Sequence, residues 1–431
     1  MKRNPFSMQA LQEPSLYVGV CIILLSCVLY VPFLRVPFLP DDYEQITLAR
    51  KLAPIHQWPH LLKDPLYRNR ATSLILTYWT DLLFPVSAVA CGISSILLHA
   101  ANGLLVYGLG TARSIGWRLS ALTAIMFAVQ ERHAEAVIWY AAVSELLVFM
   151  FGLTALLLWI RWLHADKRAP TLWTAALVSF VLALLSKESA VVFVVLMFLF
   201  AVLEKVAIQR ALLGLAPMIL VSAAYVIWVF QGQEENHHFH DGTFVFQMGF
   251  LKTDVLSAAR GLWVWGFVGL ILLLVLRIGK HPLLIAALVW TFLSLLPYSF
   301  LTYMRTVPSR HHYLAAVGCS LIIAMALLAL SDRIRRSHLV PYCLLLISIH
   351  HAIYLWTVKY RQFERRSEPI EAFIQFLRSE PRRPVTVHCS NYLFSEAQRA
   401  AYLRRGEPEQ NLVFNDSTHQ PDAPSYCLPG L

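Results

Sequence analysis

The stretch "LYVGVCIILLSCVLYVPFLRVPFLPDDYEQI", residues 16–46, sets some twenty largely apolar residues directly before the adjacent acids Asp41 and Asp42, with Glu44 two residues on. A helix needs about 20 apolar residues to cross a hydrocarbon core of roughly 30 Å. Residues 16–34 therefore read as a membrane span, and the acids fall at its edge. Ionisable groups there are costly unless solvated, paired or used. On position alone, a helix-terminating loop whose acids face water explains them as well as a functional pair does.

The same apolar pattern recurs along the chain. Its 431 residues are 57% hydrophobic and 14% charged, against roughly a quarter charged in soluble domains, and the mean hydropathy is +0.56. This predicts an all-α polytopic membrane protein with about eleven transmembrane helices. They are expected near 16–34, 86–109, 118–136, 143–162, 171–186, 188–203, 211–230, 260–277, 282–300, 312–330 and 339–357. "MKRNPFSMQALQEP" leads into the first without an A-x-A-like cleavage site behind it, so an uncleaved span is expected rather than a signal peptide.

Basic residues decide orientation. Lys2, Arg3, Arg113, Arg118, Arg161, Lys167, Arg168, Lys205, Arg210, Arg277, Lys280, Arg333, Arg335 and Arg336 fall in short loops on the side of the N-terminus. By the positive-inside rule that side is cytoplasmic. The first external loop (35–85) still holds Arg35, Arg50, Lys51, Lys63, Arg68 and Arg70, against that bias, as cations would that hold a phosphate. Within it "ATSLILTYWTDLLF" is expected to lie in the interface. The net charge of +10 is dispersed among loops, which favours a lipid bilayer and an anionic lipid or substrate over nucleic acid.

The chain divides into a transmembrane module, 1–357, and a small non-cytoplasmic α/β appendage, 358–431, carrying "IEAFIQFLRSE" and the β-branched "PVTVHC". Of the seven cysteines, five lie in apolar stretches. Cys389 and Cys427 are the pair placed to form a disulfide in a polar segment.

Four further external segments carry polar residues beyond what a turn needs. "FAVQERHAEAVIWY", 127–140, brings Glu131, Arg132, His133 and Glu135 to one hairpin; a solvated turn with local ion pairs is the alternative. In "LLSKESAVV", Lys187 and Glu188 interrupt about thirty apolar residues, as a mutual ion pair or with Lys187 as a phosphate donor. "RTVPSRHHYLAAVG", 305–318, opens a span with Arg310, His311, His312 and Tyr313, as interfacial anchors or as phosphate ligands. "QEENHHFHDGTF" clusters His237, His238, His240 and Asp241, but no second half of a metal motif accompanies them. A solvated loop is the favoured reading there.

Taken in order, these segments resemble the GT-C superfamily of polytopic glycosyltransferases, close to its O-mannosyltransferase-like and tetratricopeptide-carrying branches. The likeness spans roughly residues 15–330. Its carriers are "FLPDDYEQI", "YRNRATSLILTYWTDLLF", "SSILLHAANGLLVY", the stretch 127–161, "LALLSKESAVVFVVLMFLF" and "SRHHYLAAVG". The family hairpin F-A-x-H-P-x-H-x-E-A-V is matched by Phe127, Ala128, His133, Glu135, Ala136 and Val137, while Gln130 and Glu131 replace His-Pro. Tetratricopeptide repeats are absent after 357.

The resemblance implies sugar transfer from a polyprenyl-phosphate donor to a hydroxyl of a glycan, lipid or protein acceptor at the non-cytoplasmic face, with inversion. It places the catalytic base on Asp41 or Asp42, with Asp41 favoured. Donor-phosphate or substrate contacts fall on His133, Glu135, Lys187, Glu188, Arg310, His311 and Tyr313. No metal and no cofactor are expected. The competing reading is a transporter or flippase of a lipid-linked substrate, which would place charges near mid-span and show internal repeats.

Overall fold

The computed structural model describes residues 14–165, 169–232, 234, 243–278, 281–301, 305–336, 338–389, 393–414 and 424–429. Among these, seven helices are long and apolar enough to cross a bilayer: Leu16–Arg35, Ala88–Thr111, Tyr140–His164, Ile208–Gln231, Phe250–Val275, Ser309–Ile334 and Leu339–Ser379. Four shorter apolar helices, Gly116–Val129, Pro170–Leu184, Glu188–Leu203 and Pro282–Tyr298, occupy the remaining expected spans. The architecture is therefore the expected all-α polytopic bundle with a small mixed unit at its C-terminal end. His237, His238, His240 and Asp241 lie outside the described residues.

Ser309–Ile334 is the central post. Within its apolar 18-residue stretch 89% is buried, whereas the corresponding stretches of Leu16–Arg35, Ile208–Gln231 and Leu339–Ser379 bury 28%, 22% and 22% and turn apolar side chains outward. Small residues let its neighbours approach, since packing rather than water exclusion joins helices in lipid. A Cβ on Gly318 would collide with the Ala287 carbonyl of the adjacent helix. At one end of the bundle the Glu204 carboxylate ties three elements together, accepting from the Ser114 N–H (2.9 Å) and pairing with His164 (2.9 Å).

The opposite end is built from short helices. The first span tightens into a 3-10 turn, Val31–Arg35, and the chain re-enters a helix at Pro40–Leu52 with proline in its first turn. Proline there loses nothing, because the first amides of a helix have no partner. Asp42 caps the same end by accepting the Leu39 N–H at 2.8 Å, and both acids of that turn suit the positive end of the helix dipole. The expected interfacial segment forms the helix Ala71–Leu83, packed on Pro40–Leu52 through Arg50–Asp81 (2.6 Å). Its Leu83 and the following Phe84 are exposed.

Two irregularities shape this end. Phe250–Val275 breaks at Trp263, whose φ of 45° is left-handed, costly for a residue with a Cβ. The last helix passes through a π-turn, Leu355–Lys359, and continues as Tyr360–Ser379. At about 1.5 Å per residue its 41 residues far exceed the hydrocarbon thickness. The C-terminal unit is thus carried on an unbroken helix that runs through residue 357.

That unit holds a three-stranded parallel sheet in the order β2-β1-β3, with β1 at Val385–His388, β2 at Leu412–Phe414 and β3 at Ser425–Cys427. The helix Phe394–Arg405 joins the first two. Cys389 and Cys427 form the expected disulfide, with Cα atoms 5.2 Å apart.

Candidate active site

Asp41 and Asp42 part ways in the folded chain. Asp42 is 2% exposed; one carboxylate oxygen accepts the Leu39 N–H at 2.8 Å, and the other accepts the Ala141 N–H at 2.7 Å. Burial pushes it up to about 7, opposed by these two amide donors. Asp41 is half-buried and makes no hydrogen bond among the described residues. Burial and then the Glu396 carboxylate raise its pKa, while the Arg366 and Arg310 guanidiniums pull it down. It is an ionisable group with unengaged oxygens beside two cations.

Those cations converge on Glu135 and Trp139. Glu135 accepts from the Ser309 hydroxyl (2.7 Å), the Arg310 N–H (3.0 Å) and the Arg310 guanidinium (3.2 Å). Burial works against its ionisation, but Arg310 and these donors hold its carboxyl below the usual value. The Arg310 and Arg366 guanidiniums lie over the Trp139 ring, 4.7 and 4.9 Å from its centroid, a favourable cation–π placement. Trp139 can sit here because the short helix Ala134–Ile138 ends before it in extended backbone.

Behind this layer is a buried ionic knot. Glu145 pairs with Lys187 and with His311 Nδ1, and accepts the Tyr298 hydroxyl at 3.1 Å. Tyr298 stacks on His311 with centroids 4.0 Å apart. Of the two readings of this turn, the mutual Lys187–Glu188 pair is not formed: Glu188 is 3.8 Å from Arg70 at the surface, and Lys187 turns inward to an acid from a span. Burial pulls Lys187 down to about 8 against the attraction of Glu145. Through these bonds to Glu145, Lys187 and His311 help to fix the turn that carries Arg310.

His133 and Tyr313, expected among the phosphate ligands, lie in a packed aromatic layer. His133 is fully buried between Phe127 and Tyr313, with centroids at 4.4 and 4.5 Å, and burial pulls it well below the usual imidazole value. The Tyr313 hydroxyl is bonded to His99 Nδ1 at 2.8 Å and to Asn102 at 3.2 Å. Both residues form an aromatic floor beneath the hairpin.

Arg310 therefore pairs with Glu135 and lies within electrostatic reach of Asp41, with Lys187 and His311 one layer behind and Glu188 beside Arg70 at the surface. Sequence reasoning missed Glu145, Trp139, Arg366 and Glu396. Glu145 had a readable signal, a lone acid in the span "VSELLVFM". Arg366 had none, being one of several arginines in a charged stretch.

No protein-family profile matches the chain, and no curated protein matches its sequence. Solved structures do match in shape. ArnT from Cupriavidus metallidurans bound to undecaprenyl phosphate superposes with a TM-score of 0.52 at 12% identity, covering 92% of this chain and 89% of that one. The apo form of that protein gives 0.55 at 13% identity over 93% and 89%. The fold is that of the GT-C glycosyltransferases. The archaeal oligosaccharyltransferase AglB from Archaeoglobus fulgidus, in complex with an inhibitory peptide and a dolichol-phosphate, shares the GT-C fold with a TM-score of 0.53 and 12% identity. There the match covers 93% of this chain and 64% of that one. At this identity the likeness is one of fold, and it does not single out an O-mannosyltransferase-like branch.

Proposed function

We propose that the chain transfers a sugar from a polyprenyl-phosphate donor to an acceptor hydroxyl at the non-cytoplasmic face, with Asp41 as general base. The observation that carries this reading is the half-buried Asp41 carboxylate, free of hydrogen bonds among the described residues and set beside the Arg310–Glu135–Trp139 group. The GT-C fold supports it, as do the polyprenyl phosphates bound by two of its neighbours.

The acceptor oxygen forms a bond to the anomeric carbon and gives its proton to Asp41. The bond from that carbon to the phosphate oxygen breaks, and its electron pair stays on the phosphate. One displacement inverts the anomeric configuration. A positioned base contributes about 10²–10⁴-fold, and Arg310 stands ready for the charge that develops on the leaving phosphate. With a guanidinium in that role the step is written without a metal. The glycan, lipid or protein nature of the acceptor is set by what reaches Asp41 from water or from the bilayer.

The test is incubation of the full-length protein in lipid nanodiscs with synthetic polyprenyl-phosphate sugars. Release of polyprenyl phosphate together with an inverted glycoside is expected. Vesicle uptake of the intact lipid-linked sugar without a glycosidic product would replace this reading with transport.

A further inference from the structure

Beyond the last span the chain reads "VKYRQFERRSEPIEAF", 358–373, a basic run of the kind that anchors a helix at the membrane surface. Arg361 and Arg365 fit that role, because both are exposed. Lys359 and Arg366 do not. They stand seven residues apart, two helical turns, and so share one face. Phe363 lies between them on that face, which continues into Ile370 and Phe373; all three are buried. The π-turn that ends at Lys359 aims its side chain inward, leaving Lys359 8% exposed while Trp356 and Val358 face out at 42% and 47%. Such turns recur at functional sites.

Neither cation has a carboxylate of its own within hydrogen-bond distance among the described residues. The Arg366 guanidinium stacks over Trp139 and over Phe363 (5.6 Å). It lies 3.9 Å from Glu135, beyond hydrogen-bond distance of a carboxylate that already accepts from Ser309 and Arg310. Among the described residues Arg366 makes no hydrogen bond, so a planar five-donor group is oriented by stacking with its donors open. Lys359 donates to Gln362 at 3.2 Å and lies within electrostatic reach of Glu131 and Glu135. Arg310 and Arg366 thus share Glu135 and lie within electrostatic reach of Asp41, and Lys359 reaches Glu135 from the same helix as Arg366.

We propose that Lys359 and Arg366 form, with Arg310, the anion side of the transfer site and hold the phosphate of the lipid carrier opposite Asp41. This rests on the lipid-phosphate reading above. As the sugar leaves, the carrier phosphate passes from a diester to a monoester and gains one negative charge; the open donors of Arg366 meet it. The C-terminal unit then belongs to the site, since the helix that carries Arg366 also carries the sheet.

The full-length protein in nanodiscs is titrated with a short-chain polyprenyl monophosphate and with the matching uncharged polyprenol. Arg366→Gln is expected to lower affinity for the monophosphate by about tenfold or more, the loss of a charge-assisted bidentate contact. Affinity for the polyprenol stays unchanged, and Arg366→Lys recovers part of the loss. Equal losses for both ligands, or an unchanged monophosphate affinity in folded Arg366→Gln, would overturn the assignment. Should Arg366→Gln fail to fold, Lys359→Gln decides by the same ratio. A wild-type protein that does not prefer the monophosphate would instead sink the lipid-phosphate reading itself.

Discussion

The Asp42 carboxylate accepts the amide N–H of Ala141, 99 residues away, at 2.7 Å. This bond joins the helix that begins at Pro40 to the turn that follows Trp139. It fixes the spacing between Asp41 and the indole on which two guanidiniums rest.

Asp42→Asn should therefore act on stability first. An amide presents one oxygen where two backbone N–H donors need acceptors, so one buried amide loses its partner, at about 1–3 kcal/mol. Unfolding free energies measured by steric trapping in bicelles would show it. A variant as stable as wild type would mean that the bridge holds nothing.

The ionic knot gives a second expectation. Glu145→Gln leaves the buried Lys187 without its carboxylate, and breaking such a pair costs about 3–5 kcal/mol. Combining it with Lys187→Met should restore much of that loss, because two neutral side chains then occupy the space. If the double variant were no more stable than the single one, the knot would owe its worth to something other than paired charge.

The pH profile of transfer reports on Asp41. A base works when ionised, so the rate rises with pH through the pKa of Asp41. Burial and Glu396 lift that value, and Arg366 and Arg310 lower it; Asp42 and Glu44 are the other acids of the same helix that couple to it. Glu396→Gln should move the acid limb of kcat/KM to lower pH. Arg366→Gln should move it to higher pH. Shifts of the same sign in both variants would contradict the placement of Asp41 between them.

Much of the fold was legible because hydrophobicity is a local property. Eleven apolar stretches were enough to place the helices, and Cys389 with Cys427 stood out as the cysteines in a polar segment. The first acidic pair and the Arg310 turn were legible as costly charges at span ends. What the sequence could not separate was Asp41 from Asp42, since the difference is made by an amide 99 residues away. The sequence left Lys187 either paired to its neighbour Glu188 or donating to a phosphate, but adjacent residues point apart as the chain leaves the helix, and its carboxylate partner, Glu145, comes from within a span. His133 and Tyr313 carry polar atoms that suit a ligand, and the sequence did not show that their rings also pack against Phe127. Arg366 gained meaning once the last helix was seen to run unbroken from the membrane onto Trp139.

The base assignment is tested most directly by Asp41→Asn in the full-length protein, with single-turnover sugar transfer and polyprenyl monophosphate binding measured on the same preparation. The account predicts a fall in the transfer rate of about 10²-fold or more, with binding and unfolding free energy close to wild type. Transfer at the wild-type rate in that variant would contradict it.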